Sequence, residues 1–251
     1  MGRWRADIID FDEQRKVIEF DLGNPKKITG SRIAAILGMN EYTTPFKVAC
    51  EIAKLWKEEP TKYTEAGHVI EPVIRDYTRQ HIDEYVGDGL GSGSLDVEDP
   101  VPAEDCHYEH FPGREPFGGM VDGYVTKNGR RAAVLEIKTA NKRDAWFGEN
   151  GKPTVPFSYV LQASLYAELS GLTKILFVVG FPEPEDYDHP DTWRPTPENT
   201  FARFVNSYPM KSQMAEARAW YNKYIKNGVT PPWTDEDKDL VDHLLANSVN
   251  Y

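Results

Sequence analysis

The stretch GGMVDGYVTKNGRRAAVLEIKTA, residues 118–140, decides how this sequence is read. Two apolar runs flank Asn128-Gly129, a dipeptide that tolerates positive φ and suits a tight turn. They read as an antiparallel hairpin. In its second strand Val134, Leu135 and Ile137 are fit for a core, yet Glu136 and Lys138 interrupt them. Successive strand side chains alternate between faces, so Glu136, Lys138 and Ala140 share one side. An acid and an ammonium in a strand otherwise made for the interior ask for a chemical reason.

Asp122, between Val121 and Gly123 on the first strand, supplies one if the register is right. A two-residue turn pairs 127 with 130 and 122 with 135, which sends Asp122 and Glu136 to opposite faces. A three-residue loop, Lys127-Asn128-Gly129, pairs 126 with 130. Asp122 then lies opposite Val134, diagonal to Glu136 on the same face. The expectation is that loop, or a bulge of equal effect. Two carboxylates a few ångström apart repel by about 1 kcal/mol in water and roughly 4 kcal/mol at an effective dielectric of about 20. A divalent cation reverses the sign, and an all-oxygen donor set points to Mg2+ or Mn2+ rather than zinc. Lys138 would then sit beside the attacking water or the scissile phosphate. Taken alone, the tripeptide E-x-K is common and reads as an ordinary ion pair on a solvated strand.

The bulk composition narrows the function classes. Of 251 residues, 40% are hydrophobic and 27% charged, as in a globular protein. No apolar run approaches the ~18 residues of a membrane span, and MGRWRADIID is too charged for a secretory signal. Cys50 and Cys106 stand far apart, which fits a reducing cytoplasm and excludes a cluster held by four cysteines. A net charge of −11 argues against indiscriminate coating of nucleic acid. Basic pairs at Lys26-Lys27, Arg130-Arg131 and Lys142-Arg143 leave room for a local track. The phosphate loop of ATP-driven motors is absent.

Outward from the hairpin, residues 1–28 read as an arm or short strands. Helices are expected in TGSRIAAIL, from Pro45, and in TEAGHVIEPVIRDYTRQH, where Pro72 should delay or kink the helix. CHYEHF, GGMVDGYV and RAAVLEIKT read as three strands. VPFSYVLQASLYAELSG is a helix closed by Gly171, and KILFVVGF is a buried strand. FARFVNSYPMKSQMAEARAWYNKYIKNG reads as a helical stretch broken near Pro209. This order suggests an α/β or α+β fold with a mixed central sheet.

Asp122 followed by Glu136-Ile137-Lys138 resembles the PD-(D/E)XK nuclease superfamily. ITGSRIAAILGMNEYTTPF, AGHVIEPVIRDY and SYVLQASLYAELSG, in that order, make residues 28 to 180 similar to the YqaJ-like viral recombinase and phage λ exonuclease family. The resemblance implies a restriction-endonuclease-like core and one nuclease domain: an arm (1–27), a catalytic core (28–180), then an acidic loop and C-terminal helices (181–251). It makes Asp122, Glu136 and the main-chain carbonyl of Ile137 ligands of Mg2+ (or Mn2+), with Glu71 at a second metal. Lys138 orients or activates the attacking water. Gln162, which shares a helix face with Tyr159, supports the lysine or touches nucleic acid. Ser31, assisted by Lys27, Arg32 and Thr29, would hold a 5′ phosphate at a helix N-terminus, with plain N-capping by Ser31 or Thr29 as the alternative. Lys142, Arg143, Lys27 and Tyr159 would face DNA.

The implied activity is 5′→3′ resection of double-stranded DNA ends, leaving a 3′ single strand for an annealing partner. A ring-shaped homotrimer in the cytoplasm of a bacterium or phage-infected host follows from the same resemblance. The alternatives are an endonuclease of the same superfamily and a catalytically inactive DNA-binding relative. Glu115 is a loose candidate for an additional acid, and His68 reads as structural. Strand alternation separates His107 from Cys106 and His110, which argues against zinc there.

Overall fold

The computed structural model describes residues 9–21, 23–40, 42–148, 151 and 153–248, so MGRWRADI of the expected arm lies outside it. In chain order the elements begin with strands β1 (Ile9–Asp12) and β2 (Val17–Phe20) and helices α1 (Gly30–Ile36) and α2 (Pro45–Ile52). Then come α3 (Lys62–Gln80), α4 (Ile82–Val86), β3 (Leu95–Glu98), β4 (Gly123–Lys127) and β5 (Arg130–Thr139). They are followed by α5 (Phe157–Ser170), β6 (Lys174–Gly180), β7 (Thr200–Asn206), α6 (Lys211–Lys223) and α7 (Lys238–Ser248). The chain divides into two compact units, Met1–Glu59 with Arg114–Gly118 and Met210–Tyr251, and Pro60–Gly113 with Gly119–Pro209.

In the first unit β1 and β2 form an antiparallel hairpin, and β2 buries Val17, Ile18 and Phe20. The Phe20 N–H donates to the Gly228 carbonyl at 2.7 Å. Gly228 has φ +65, and a Cβ there would run into the Phe20 carbonyl, so glycine is required. Pro45 opens α2, and the Thr44 side chain caps it by accepting from the Lys47 N–H at 3.1 Å. Asp237, fully buried, accepts from Thr44 Oγ1, from the Thr234 N–H at 2.8 Å and from Thr234 Oγ1 at 3.0 Å. Asp237→Ala leaves these donors unpaired and should cost about 2–4 kcal/mol of stability, measured by urea unfolding.

The second unit is built on a five-stranded sheet, order β3-β4-β5-β6-β7, in which β5 and β6 are parallel and the other pairs antiparallel. This is the mixed sheet flanked by helices that the sequence implies. β5 is central and buried on both faces, as a strand inside a helix-covered sheet must be. Leu135 and Ile137 join Ile70 and Ile74 of α3, with Leu176, Val178 and Trp193, in one core cluster. The opposite face carries Glu136 and Lys138 and meets α5. α5 buries residues around most of its circumference and ends on Gly171 in the left-handed conformation.

Several expectations are corrected. Pro72 neither delays α3, which starts ten residues earlier, nor interrupts its buried ridge of Ala66, Ile70, Ile74 and Thr78, because the proline sits on the exposed side. CHYEHF is a run of turns, since His107 and Tyr108 take φ of +53 and +61, which no strand accommodates. The first hairpin strand starts only at Gly123, so Asp122 occupies a bend before it. FARFVN is not helical but the edge strand β7, drawn out by pairing with β6. β3 had no strand signal of its own and pairs with β4.

The hairpin loop has two residues, not three: Asn128 (φ +51) and Gly129 (φ +75) connect the pair Lys127 and Arg130. The bulge alternative restores the parity. The register runs Thr126 to Arg131, then Val125 to Ala133, leaving Ala132 as the extra residue. Past the bulge Gly123 faces Leu135, and Asp122, in the bend before it, reaches the Ile137 N–H.

Candidate active site

Glu136 is fully buried at the centre of the sheet. Its Oε1 accepts from Lys138 Nζ at 2.6 Å and from Gln162 Nε2 of α5 at 2.6 Å. Its Oε2 is buried with no hydrogen-bond partner among the described residues. The Lys138 ammonium also lies 5.3 Å from the centre of the Tyr159 ring. Tyr159 in turn stacks on Trp146, with ring centroids 5.5 Å apart. The expected i, i+3 pair of Tyr159 and Gln162 thus brackets the acid and the lysine from α5.

Asp122 reaches the same strand from its bend: its Oδ2 accepts from the Ile137 N–H at 2.7 Å. α3 crosses nearby. A Cβ on Gly67 would sit 3.3 Å from Thr139 Oγ1, and Arg75, two turns later, donates Nε–H to the Asp122 carbonyl at 2.7 Å. Glu71 lies midway on that face of the helix, ion-paired with Arg75. Arg75 has no counterpart in the sequence reading. The signal for it is its position four residues after Glu71, the spacing of a helical acid–base pair.

The charges are strongly coupled. Burial pushes the Glu136 carboxyl up to about 7; Lys138 works against this, while Asp122 and Glu71 add to it. Burial and then the Asp122 charge lift Glu71 to about 7, against the pull of Arg75 and Lys138. Burial disfavours the Lys138 ammonium, but Glu136 and Asp122 outweigh it and raise its pKa above the ordinary lysine value. Lys138 therefore keeps its proton at neutral pH.

Among the described residues no three His, Cys, Asp or Glu side chains are already drawn into a metal-binding cluster. Asp122 is tied to Ile137, Glu136 to Lys138 and Gln162, and Glu71 to Arg75. The chemistry nevertheless suits a hard divalent ion. The donors are all oxygen, one buried carboxylate oxygen is unsatisfied, and two carboxyls are held up by burial and by the Asp122 charge. Ile137 is buried on β5 with its N–H committed to Asp122.

In the second unit His68 is exposed on α3, and Lys142 is exposed. The Arg143 guanidinium donates to the Glu198 carbonyl and lies 4.8 Å from the Phe181 ring. In the first unit Lys27 is ion-paired with Glu115 at 2.9 Å. Arg32 is held by Glu51 at 3.2 Å and by the Lys27 carbonyl at 3.0 Å. Ser31 is exposed, its hydroxyl 3.0 Å from that of Thr29; Thr29 occupies the N-cap position of α1 without a side-chain bond to the helix.

Comparison with known proteins gives this geometry a context. The chain is similar to an alkaline exonuclease, LHK-Exo, from Laribacter hongkongensis, at 17% identity and a TM-score of 0.51, over 89% of this chain and 95% of that one. That likeness speaks for the fold alone. The uncharacterized protein MG373 of Mycoplasma genitalium is 29% identical over 84% of this chain and 85% of its own length. Its homolog in Mycoplasma pneumoniae is also 29% identical, over 86% of each. The model of the YqaJ-like viral recombinase domain matches residues 19–173, more than half of the chain, and supports a deoxyribonuclease. With that match the three sequence blocks and the Asp122–Glu136–Lys138 hairpin find their common explanation: the chain belongs to the YqaJ-like viral recombinase domain family.

Proposed function

We propose that the protein is a Mg2+- or Mn2+-dependent deoxyribonuclease that resects double-stranded DNA from its ends, 5′→3′, leaving 3′ single strands for recombination. The observation that carries this reading is the buried Glu136 carboxylate, one oxygen held by Lys138 and Gln162 and the other left without a partner, beside Asp122. In it Asp122, Glu136 and the Ile137 carbonyl hold one ion and Glu71 helps to hold a second. A divalent ion there would offset the carboxylate repulsion and polarise the phosphodiester for attack by water.

The protein's own groups do the rest. Gln162 fixes Glu136, and the Ile137 amide fixes Asp122. Lys138, kept protonated, places a positive charge where negative charge grows on the phosphate in the transition state. In that state it acts as a fixed charge and hydrogen-bond donor that orients the attacking water or the phosphate. In-line attack by water releases 5′-phosphorylated nucleotides. Tyr159 backs the ammonium through its ring face.

Polarity, a ring trimer, a single-strand annealing partner, a cytoplasmic setting and a 5′-phosphate pocket at Ser31, Lys27 and Arg32 extend the reading by family resemblance. So do DNA contacts by Lys142 and Arg143. Among the described residues no helix is long and apolar enough to cross a membrane. The test is digestion of end-labelled linear duplex beside covalently closed plasmid, with Mg2+. Mononucleotides from the linear substrate and intact closed circles are expected. Cutting of closed circles would replace the exonuclease reading with the endonuclease one, and inertness toward both would end it.

A further inference from the structure

The main chain that delivers Asp122 lies outside the paired strands, because β4 begins only at Gly123. Residues 109–110 hold it instead. The Gly119 N–H donates to Glu109 Oε1 at 3.2 Å, and the His110 N–H donates to the Gly119 carbonyl at 2.9 Å. The Val121 N–H, on a residue only 3% exposed, donates to His110 Nδ1 at 3.0 Å. The far ring nitrogen, Nε2, lies 3.0 Å from the Val101 carbonyl.

These two bonds make opposite demands. A carbonyl can only accept, so Nε2 carries the proton; an amide can only donate, so Nδ1 offers its lone pair. The ring is pinned as one neutral tautomer between two main-chain groups. In that tautomer the ring has no lone pair left for a metal. Val121 directly precedes Asp122, and the Asp122 carboxylate must land on the Ile137 N–H.

We propose that His110 is a positioning residue for Asp122: acting through the Val121 amide, it sets where that carboxylate enters the divalent-metal site. The inference rests on the metal-dependent nuclease reading. Partners that orient metal ligands typically cost 10–100-fold in affinity when lost.

The test is calorimetric titration of the whole metal-free chain with Mn2+, with a thermal melt in chelator for each variant. His110→Asn places an oxygen close to where Nδ1 stands and keeps an acceptor for Val121. His110→Gln reaches toward Val101 but abandons Val121, and His110→Phe abandons both. We expect the Gln and Phe variants to bind Mn2+ about tenfold more weakly and the Asn variant to stay within about twofold of wild type. If the Phe variant fails to fold, the Gln variant decides. A folded Gln variant with wild-type affinity, or an Asn variant as weak as Gln, would overturn the role of His110. Asp122→Asn separates the layers. Mn2+ binding that survives it in full removes the metal site and this proposal together. Binding lost in Asp122→Asn but equal in all His110 variants removes only the positioning role.

Discussion

Glu136→Gln is expected to abolish Mg2+-dependent DNA hydrolysis while raising the thermal midpoint of the metal-free protein. The two effects share a cause. A fully buried carboxylate with one unsatisfied oxygen is expensive to ionise, which is why its pKa sits near 7 rather than near the ordinary glutamate value. The amide keeps an acceptor for Lys138 and Gln162 and removes the charge. The folded-state pKa lies above the unfolded one, so the folded protein binds the extra proton between pH 4.5 and about 7. The cost of Glu136 therefore grows as pH rises through that window and is complete above it. The stabilisation by Gln should be largest above pH 7 and vanish below about pH 4.5. Each kcal/mol recovered moves the midpoint by roughly 2–4 °C for a chain of this size. Activity should fall by at least ~10²–10³-fold, as when a charge-stabilising group is lost from a hydrolytic site. A variant that retains near wild-type hydrolysis of end-labelled duplex would remove Glu136 from the chemistry.

Lys138→Ala should lower the rate constant of the same reaction by about 10²–10³-fold at saturating Mg2+. The loss should be alike at pH 7 and pH 9 where the ammonium stays charged with the metal bound, as Glu136 and Asp122 hold it in the metal-free protein. A lysine acting as general base would instead give a loss that varies with pH as the group titrates. Arginine should not restore full activity: its planar fork does not match a compact ammonium seated against Glu136 and the Tyr159 ring. Undiminished digestion by Lys138→Ala would dismiss the site.

The legible parts of this molecule are those whose pattern is local. Glu136 and Lys138 could be placed on one face from strand alternation alone, and Tyr159 with Gln162 from helical spacing. α2, α5 and β6 announced themselves through Pro45, Gly171 and a continuous apolar run. β7 did not, because Phe201, Phe204 and Val205 are spaced as a helix would space them and only the distant β6 pulls them straight. CHYEHF misled for the opposite reason: its composition says nothing of the two positive φ angles that fold it into turns. Arg75 shows in the sequence only through its spacing from Glu71 and His110 only as a zinc candidate; what they do for the main chain of the Asp122 segment leaves no mark there.

The unpaired Ala132 has a consequence for how this chain can go wrong. With the central strand buried on both faces from Ala133 to Ile137, burial barely distinguishes the native pairing from a neighbour displaced by one residue that lacks the kink. Such a slip would keep a plausible interior while turning the Asp122 carboxylate away from Glu136. The molecule is thus exposed to a misassembly that conventional measures of foldedness would pass and only a substrate would detect.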